Sequence, residues 1–196
     1  MNSKTITFIT LMSTLGNALF AVSFYAGPIA PGVALDFSLL PTFIAGIYGG
    51  PFVGLVTGLL AGLLPGVFFG PLGHGAWLGL IGLPLGKGLT GLTSGLISKS
   101  LNLKAARHSS LLTVPVVLVS YIPECLFTVA YFVFLMPFFL GSGGPFLLGV
   151  VLPKAWGEVI LMSVIMGALV GNHGFTSFVA KYLTFKPLMF TRKTEK

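Results

Sequence analysis

Apolar residues fill six stretches of the chain, and short segments rich in Pro, Gly or positive charge separate them. The first run, 5–26, follows Lys4 and is interrupted by Ser13, Thr14 and Asn17. It is longer than the roughly 7–15 residues of a signal-peptide core, so it reads as an uncleaved first span. Residues 27–32, Gly-Pro-Ile-Ala-Pro-Gly, form a break, because Pro and Gly punctuate helices. A short run at 37–48 is followed by Gly49-Gly50-Pro51, and a third run at 52–69 contains Pro65. A loop at 70–75 precedes the fourth run, 76–97, and a basic connector from Ser98 to Ser110 precedes the fifth, 111–140. That fifth run is longer than one bilayer crossing needs and holds Pro115, Pro123 and Pro137, so the pattern predicts kinks or an irregular end. After the 141–145 loop comes a sixth run, 146–170, and then a basic tail from 172 to 196.

Composition turns these runs into membrane spans. Hydrophobic residues make up 55% of the 196 positions and charged residues only 8%, with a mean hydropathy of +0.99. A soluble domain carries about 25% charged residues, and disordered chains are poor in apolar ones. The 27 glycines are not spaced by three, which excludes collagen. A span takes about 20 residues, so six use ~120 and leave short loops. The expected architecture is an all-α integral membrane bundle of six transmembrane helices in one domain.

The net charge of +7 points to topology rather than to nucleic acid, because the basic residues lie between apolar runs and in the tail. Six spans place both ends on one side, together with Lys4, the connector carrying Lys99, Lys104, Arg107 and His108, and the tail. The opposite loops, near 27–36, 70–75 and 141–145, hold no Lys or Arg. The positive-inside rule makes the basic side cytoplasmic in a cell membrane. In the tail, 176–190 mixes aromatic and aliphatic residues with lysines, which suits either a surface helix or a solvated basic tail.

Glycines recur every fourth residue at 46, 50, 54, 58, 62, 66 and 70, and the spacing returns at 75/79, 82/86, 91/95 and 167/171. Such positions share a helix face and let another backbone approach closely. The face serves either packing within the chain or docking of another membrane protein. Gly16, Ala18, Ala21 and Ala26 give the first span a weaker small face with the same two readings.

Lys87, Glu124, Lys154 and Glu158 fall inside apolar runs, where ionisable groups are costly and are usually paired or functional. Lys87 lies about 17 Å into its span at 1.5 Å per residue. Lys154 and Glu158 are spaced to pair on one face. Asp36 is expected at the outer mouth. The four intramembrane charges form either an ion-pair network that fixes helix registry or a polar pocket open to the outside. Trp77, Tyr121, Tyr131 and Trp156 are candidate aromatic walls. Catalytic groupings do not emerge: His74, His108 and His173 form no HExxH pair, no phosphate-binding loop occurs, and the lone Cys125 supports neither a disulfide nor a thiolate metal site. No enzyme activity and no cofactor are expected.

The stretch Leu35-Asp36-Phe37-Ser38-Leu39-Leu40-Pro41, followed by Ala45-Gly46-Ile47-Tyr48-Gly49-Gly50-Pro51-Phe52-Val53-Gly54-Leu55-Val56-Thr57-Gly58, resembles the second-to-third-span signature of S-components, the substrate-binding subunits of energy-coupling factor (ECF) vitamin transporters. The resemblance extends to length, span number and a charge-poor outer side. The Asp-Phe-Ser form and Pro153-Lys154 look most like the riboflavin type. Glu158 and Lys87 have no counterpart in that subgroup. The resemblance implies an S-component-like bundle that captures a water-soluble vitamin in an outward pocket. It also implies partnership with a transmembrane coupling protein and two ABC ATPases. On this reading the solute site is Asp36, Phe37, Trp77, Lys87, Glu124, Lys154, Trp156 and Glu158. The face for the coupling protein is Gly16, Ala18, Ala21 and Ala26. Two competing readings remain: a self-contained channel or proton-coupled carrier for a small polar solute, with the carboxylates and lysines lining its route, and a membrane scaffold without transport.

Overall fold

The computed structural model describes residues 3–26, 28–30, 33–73, 75–103, 109–141 and 144–182. His74, residues 104–108 of the basic connector and the tail beyond 182 lie outside them. The described chain is helical apart from one small hairpin. Its elements are α1 (Ser3–Ala26), β1 (Pro28–Ala30), β2 (Val33–Ala34), α2 (Leu39–Gly49), α3 (Pro51–Ala61), α4 (Leu63–Phe69), α5 (Ala76–Ser100), α6 (Ser109–Ala130), a π-helical turn (Tyr131–Leu135), α7 (Met136–Leu140), α8 (Gly144–Gly171) and α9 (His173–Tyr182). β1 and β2 pair antiparallel.

Five stretches are long and apolar enough to cross a membrane: α1, Pro51–Phe69, α5, Ser109–Leu140 and Leu147–Gly171. Large apolar side chains cover their outer faces, among them Val22, Leu126, Phe134, Phe138 and Val164. An exposed apolar belt of this kind belongs in contact with lipid. The second apolar run is different. Its helix, α2, has 11 residues, or about 16 Å at 1.5 Å per residue, half of a ~30 Å hydrocarbon core.

Glycine explains where that short helix sits. Positions 46, 54, 58, 62 and 66 face α5, so the four-residue repeat is packing within this chain. A Cβ on Gly54 would run into the Gly91 carbonyl, one on Gly58 into the Lys87 carbonyl, and one on Gly62 would come within 2.5 Å of Pro84 Cα. With no side chains between them, the backbones touch. Down α3 and α4, positions 54, 58, 62 and 66 meet 91, 87–88, 84 and 79–80 in turn, so these helices run antiparallel to α5. α2 runs parallel to α5: Asp36, just before it, bonds Lys87, and Gly46 lies against Gly91 and Ser94. α2 therefore covers only the second half of α5. The α2–α3 turn needs Gly50, whose φ of 89° is left-handed backbone.

Gly62 and Pro65 break the third run into α3 and α4. Asn17 of α1 spans the break: its Nδ2 donates to the Leu60 carbonyl at 3.0 Å and its Oδ1 accepts from the Leu64 N–H at 3.0 Å. This is the reason for an amide in the middle of an apolar helix, since an unpaired backbone group in lipid costs several kcal/mol. Gly16, beside it, is buried against Ala61 and the Ser38 carbonyl, whereas Ala18 and Ala26 are exposed and Ala21 is half-buried. The four small residues therefore do not make one outward face.

The fifth run carries the expected irregularity at Tyr131–Leu135, where the helix widens to a π turn before α7. At one end of the bundle, Tyr48 of α2 bonds Thr176 of α9, and α9 seats Val179 in the core. Lys4 and Lys181 line one shallow pocket there.

Gly54→Ala is expected to lower the detergent melting midpoint sharply, because its Cβ meets backbone that cannot move away; overpacking costs about 1–3 kcal/mol or more. Gly149→Ala, in open space on α8, should leave it unchanged or raise it by removing the ~1 kcal/mol helix penalty of glycine. Thermal unfolding of the two variants side by side checks this, and equal effects would contradict the backbone-contact account.

Candidate functional site

A cavity of about 460 Å³ lies between α5, α6 and α8, closed on the fourth side by α4 and the segment that precedes α2. It runs from Leu72 and Gly73, where Leu72 is 70% exposed, to a charged floor at Asp36. This is the end of the bundle opposite Lys4 and Lys181.

Each wall comes from a helical repeat. α8 contributes Leu147, Val151, Lys154, Ala155 and Glu158, one ladder at three- and four-residue spacing. α6 and its π turn contribute Tyr121, Glu124, Phe127, Thr128 and Tyr131 in the same way. α5 contributes Gly82, Gly86 and Lys87, and its glycines leave the room: Gly82 faces the Tyr131 ring and Gly86 the Glu124 side chain. Phe68 and Phe69 of α4 and Phe24 of α1 form an aromatic cluster on the same cavity, Phe24 and Phe68 with ring centroids 4.9 Å apart.

The floor is a chain of charges that joins three parts of the fold. Lys87 Nζ meets Asp36 Oδ2 at 2.6 Å, and Asp36 Oδ1 accepts the Ser38 N–H at 2.9 Å. The Asp36 N–H donates to Glu158 Oε1 at 2.6 Å, and Glu158 Oε2 pairs with Lys154 Nζ at 3.1 Å. Glu124 stands apart. Its Oε2 accepts from the Thr90 hydroxyl, and among the described residues it has no ion-pair partner.

Of the residues expected at a site, Asp36, Lys87, Glu124, Lys154 and Glu158 come together on this cavity. Asp36 is not at an outer mouth. It is buried at the level of Lys87, eleven residues into α5, because residues 35–38, between β2 and α2, lie within the bundle. The charge balance shifts with it, from two lysines against two glutamates to two ammoniums against three carboxylates. Phe37, Trp77 and Trp156 are not on the cavity wall. Phe37 packs against the main core, Trp77 is half exposed against Phe139, and Trp156 stands edge-on behind Tyr121 at 5.3 Å. Phe24, Phe68, Phe69, Phe127, Thr128 and Phe132 line the cavity without having been singled out in the sequence. The α6 set was detectable, since 121, 124, 127, 128 and 131 repeat at helical spacing around an intramembrane Glu. The phenylalanines of α1 and α4 carry no such signal. Among the described residues no cluster of His, Cys, Asp and Glu suits a metal ion.

A scan against protein-family models and searches of curated proteins and of solved structures give no match to this chain.

The floor makes a testable statement about stability. Lys87→Met leaves Asp36 buried without its counter-ion, and breaking such a pair from one side costs about 3–5 kcal/mol. Adding Asp36→Asn removes the stranded charge and should restore a large part of the loss. A double-mutant cycle of detergent melts reads the coupling; strictly additive effects would show that the pair is not a unit.

Proposed function

We propose that the protein is the solute-capturing S-component of an ECF-type vitamin importer, holding a water-soluble, vitamin-sized molecule in the cavity above Asp36. One observation carries the reading: a polar-floored, aromatic-walled cavity inside an apolar bundle, reaching the surface at the end away from the basic residues. A purely structural ion-pair network needs no such space beside it. Ligand cavities of a few hundred cubic ångströms, mostly apolar with a few placed polar groups, are the usual form of a small-molecule site.

On this reading the bundle makes six crossings, the second composed of the hairpin segment and half-length α2, with both ends cytoplasmic. The positive-inside rule then directs the cavity outward. The signature around Asp36 to Gly58 supports the family. Transport would need a coupling protein and two ATPases, because the chain has no phosphate-binding loop. With Gly16 turned inward, a docking face on α1 would consist of the exposed line Leu11, Leu15, Ala18 and Val22. Riboflavin rests on the Asp-Phe-Ser motif and on Pro153-Lys154 alone.

The protein purified in mild detergent is expected to retain or bind one small molecule per chain, read by native mass spectrometry; a bound flavin would make it yellow. Val151→Trp fills the cavity from α8 and should abolish that binding while the solute-free melt stays unchanged. A chain that neither retains nor binds such a molecule, or a Val151→Trp variant that binds as before, would remove this reading.

A further inference from the structure

We propose that the solute of this cavity carries a cationic nitrogen, seated against Glu124 inside the aromatic wall of α6. The inference rests on the capture reading above and narrows its solute class. Around the cavity stand three carboxylates, Asp36, Glu124 and Glu158, and two ammoniums, Lys87 and Lys154. Both ammoniums are engaged, Lys87 with Asp36 at 2.6 Å and Lys154 with Glu158 at 3.1 Å. Glu124 accepts from the Thr90 hydroxyl, a neutral donor, and is near the charges of Lys87 and Lys154 without an ion-pair contact to either, so it is the carboxylate of this cavity with no ammonium of its own. Its surroundings suit an organic cation. Tyr121, Phe127 and Tyr131 flank it on the same helical face, and rings beside a carboxylate offer cation–π contact together with the ion pair. A second group on this wall also lacks a partner: the Tyr131 hydroxyl, on a residue only 6% exposed, makes no hydrogen bond among the described residues. It supplies a second polar contact to the same solute. An anionic solute would meet two ammoniums already neutralised and one carboxylate that is not. A neutral solute would leave Glu124 as it stands.

The test is calorimetric titration of the full chain in detergent at neutral pH with three vitamin-sized probes. These are thiamine as the aromatic cation, riboflavin as the neutral heterocycle and biotin as the carboxylate, with native mass spectrometry of any solute retained from the host. The cation should bind most tightly. Glu124→Gln, which copies the protonated acid, should weaken it about 10- to 100-fold, and Tyr131→Phe by a smaller factor. Should Glu124→Gln fail to fold, the preference among the probes on the unaltered chain and the Tyr131→Phe titration decide alone. Preference for riboflavin or biotin, a retained solute without positive charge, or undiminished binding in Glu124→Gln would overturn the cation assignment and leave the capture reading standing. If no probe binds and nothing is retained, both fall.

Discussion

A lysine ammonium in the middle of an apolar helix must be neutralised where it stands, and here the chain goes to it. Lys87 is 3% exposed, eleven residues from the start of α5, and Asp36 reaches it from the segment between the hairpin and α2. To do so, residues 35–38 lie within the bundle rather than at its edge. That contact sets the level at which α2 begins, so an 11-residue helix suffices to reach the Gly50 turn. It also supplies the cavity floor, because the same Asp36 backbone carries the bond to Glu158 and through it to Lys154. Remove the pair, and both the start of α2 and the polar end of the cavity lose their anchor.

The glycine repeat makes this arrangement geometrically possible. α2 and α3 both lie against α5, and Gly46, Gly54 and Gly91 occupy one crossing where side chains of any size would overlap. In lipid no hydrophobic force draws helices together, and close backbone packing supplies the attraction instead. The stripe was open to a second use, as a face for another protein. Its contacts occupy that face inside the chain. Such fitted contacts also argue against easy sliding of these helices on one another, because packed interfaces are not continuously deformable.

The apolar runs, their order and the break within the long fifth run could be read directly, since each depends on hydropathy and on Pro or Gly positions. The pairing of Lys154 with Glu158 followed from helical spacing alone. The partner of Lys87 did not. It comes from a loop residue 51 positions away, placed by a chain reversal that no local pattern encodes. Asn17 looked like an interruption of its helix until the Gly62–Pro65 break beside it showed what its amide bonds. The tryptophans misled for a different reason: large aromatic residues in a membrane protein serve packing and interfaces as readily as ligands, and Trp77 and Trp156 do the former. The cavity aromatics that do line the wall are mostly phenylalanines, too common here, at 18, to be sorted by sequence.

The two halves of the bundle divide the work. α2 to α5 are joined backbone to backbone, with Lys87 and the glycines of α5 forming one wall. α6 to α8 meet that wall across the cavity through side chains, and they hold Pro115, Pro123, Pro137 and Pro153 together with the π turn. Proline removes a helix hydrogen bond and a π turn shifts its register; the first half has its own breaks, Pro84 within α5 and the Gly62–Pro65 break between α3 and α4, but there the backbones pack against each other across them. The π turn begins at Tyr131, one turn beyond Phe127 and two beyond Glu124. A change of pitch at that point re-aims the tyrosine hydroxyl relative to the carboxylate without moving α5. On the capture reading, the side chains free to adjust to a solute are those of α6 and α8, set against a wall packed backbone to backbone.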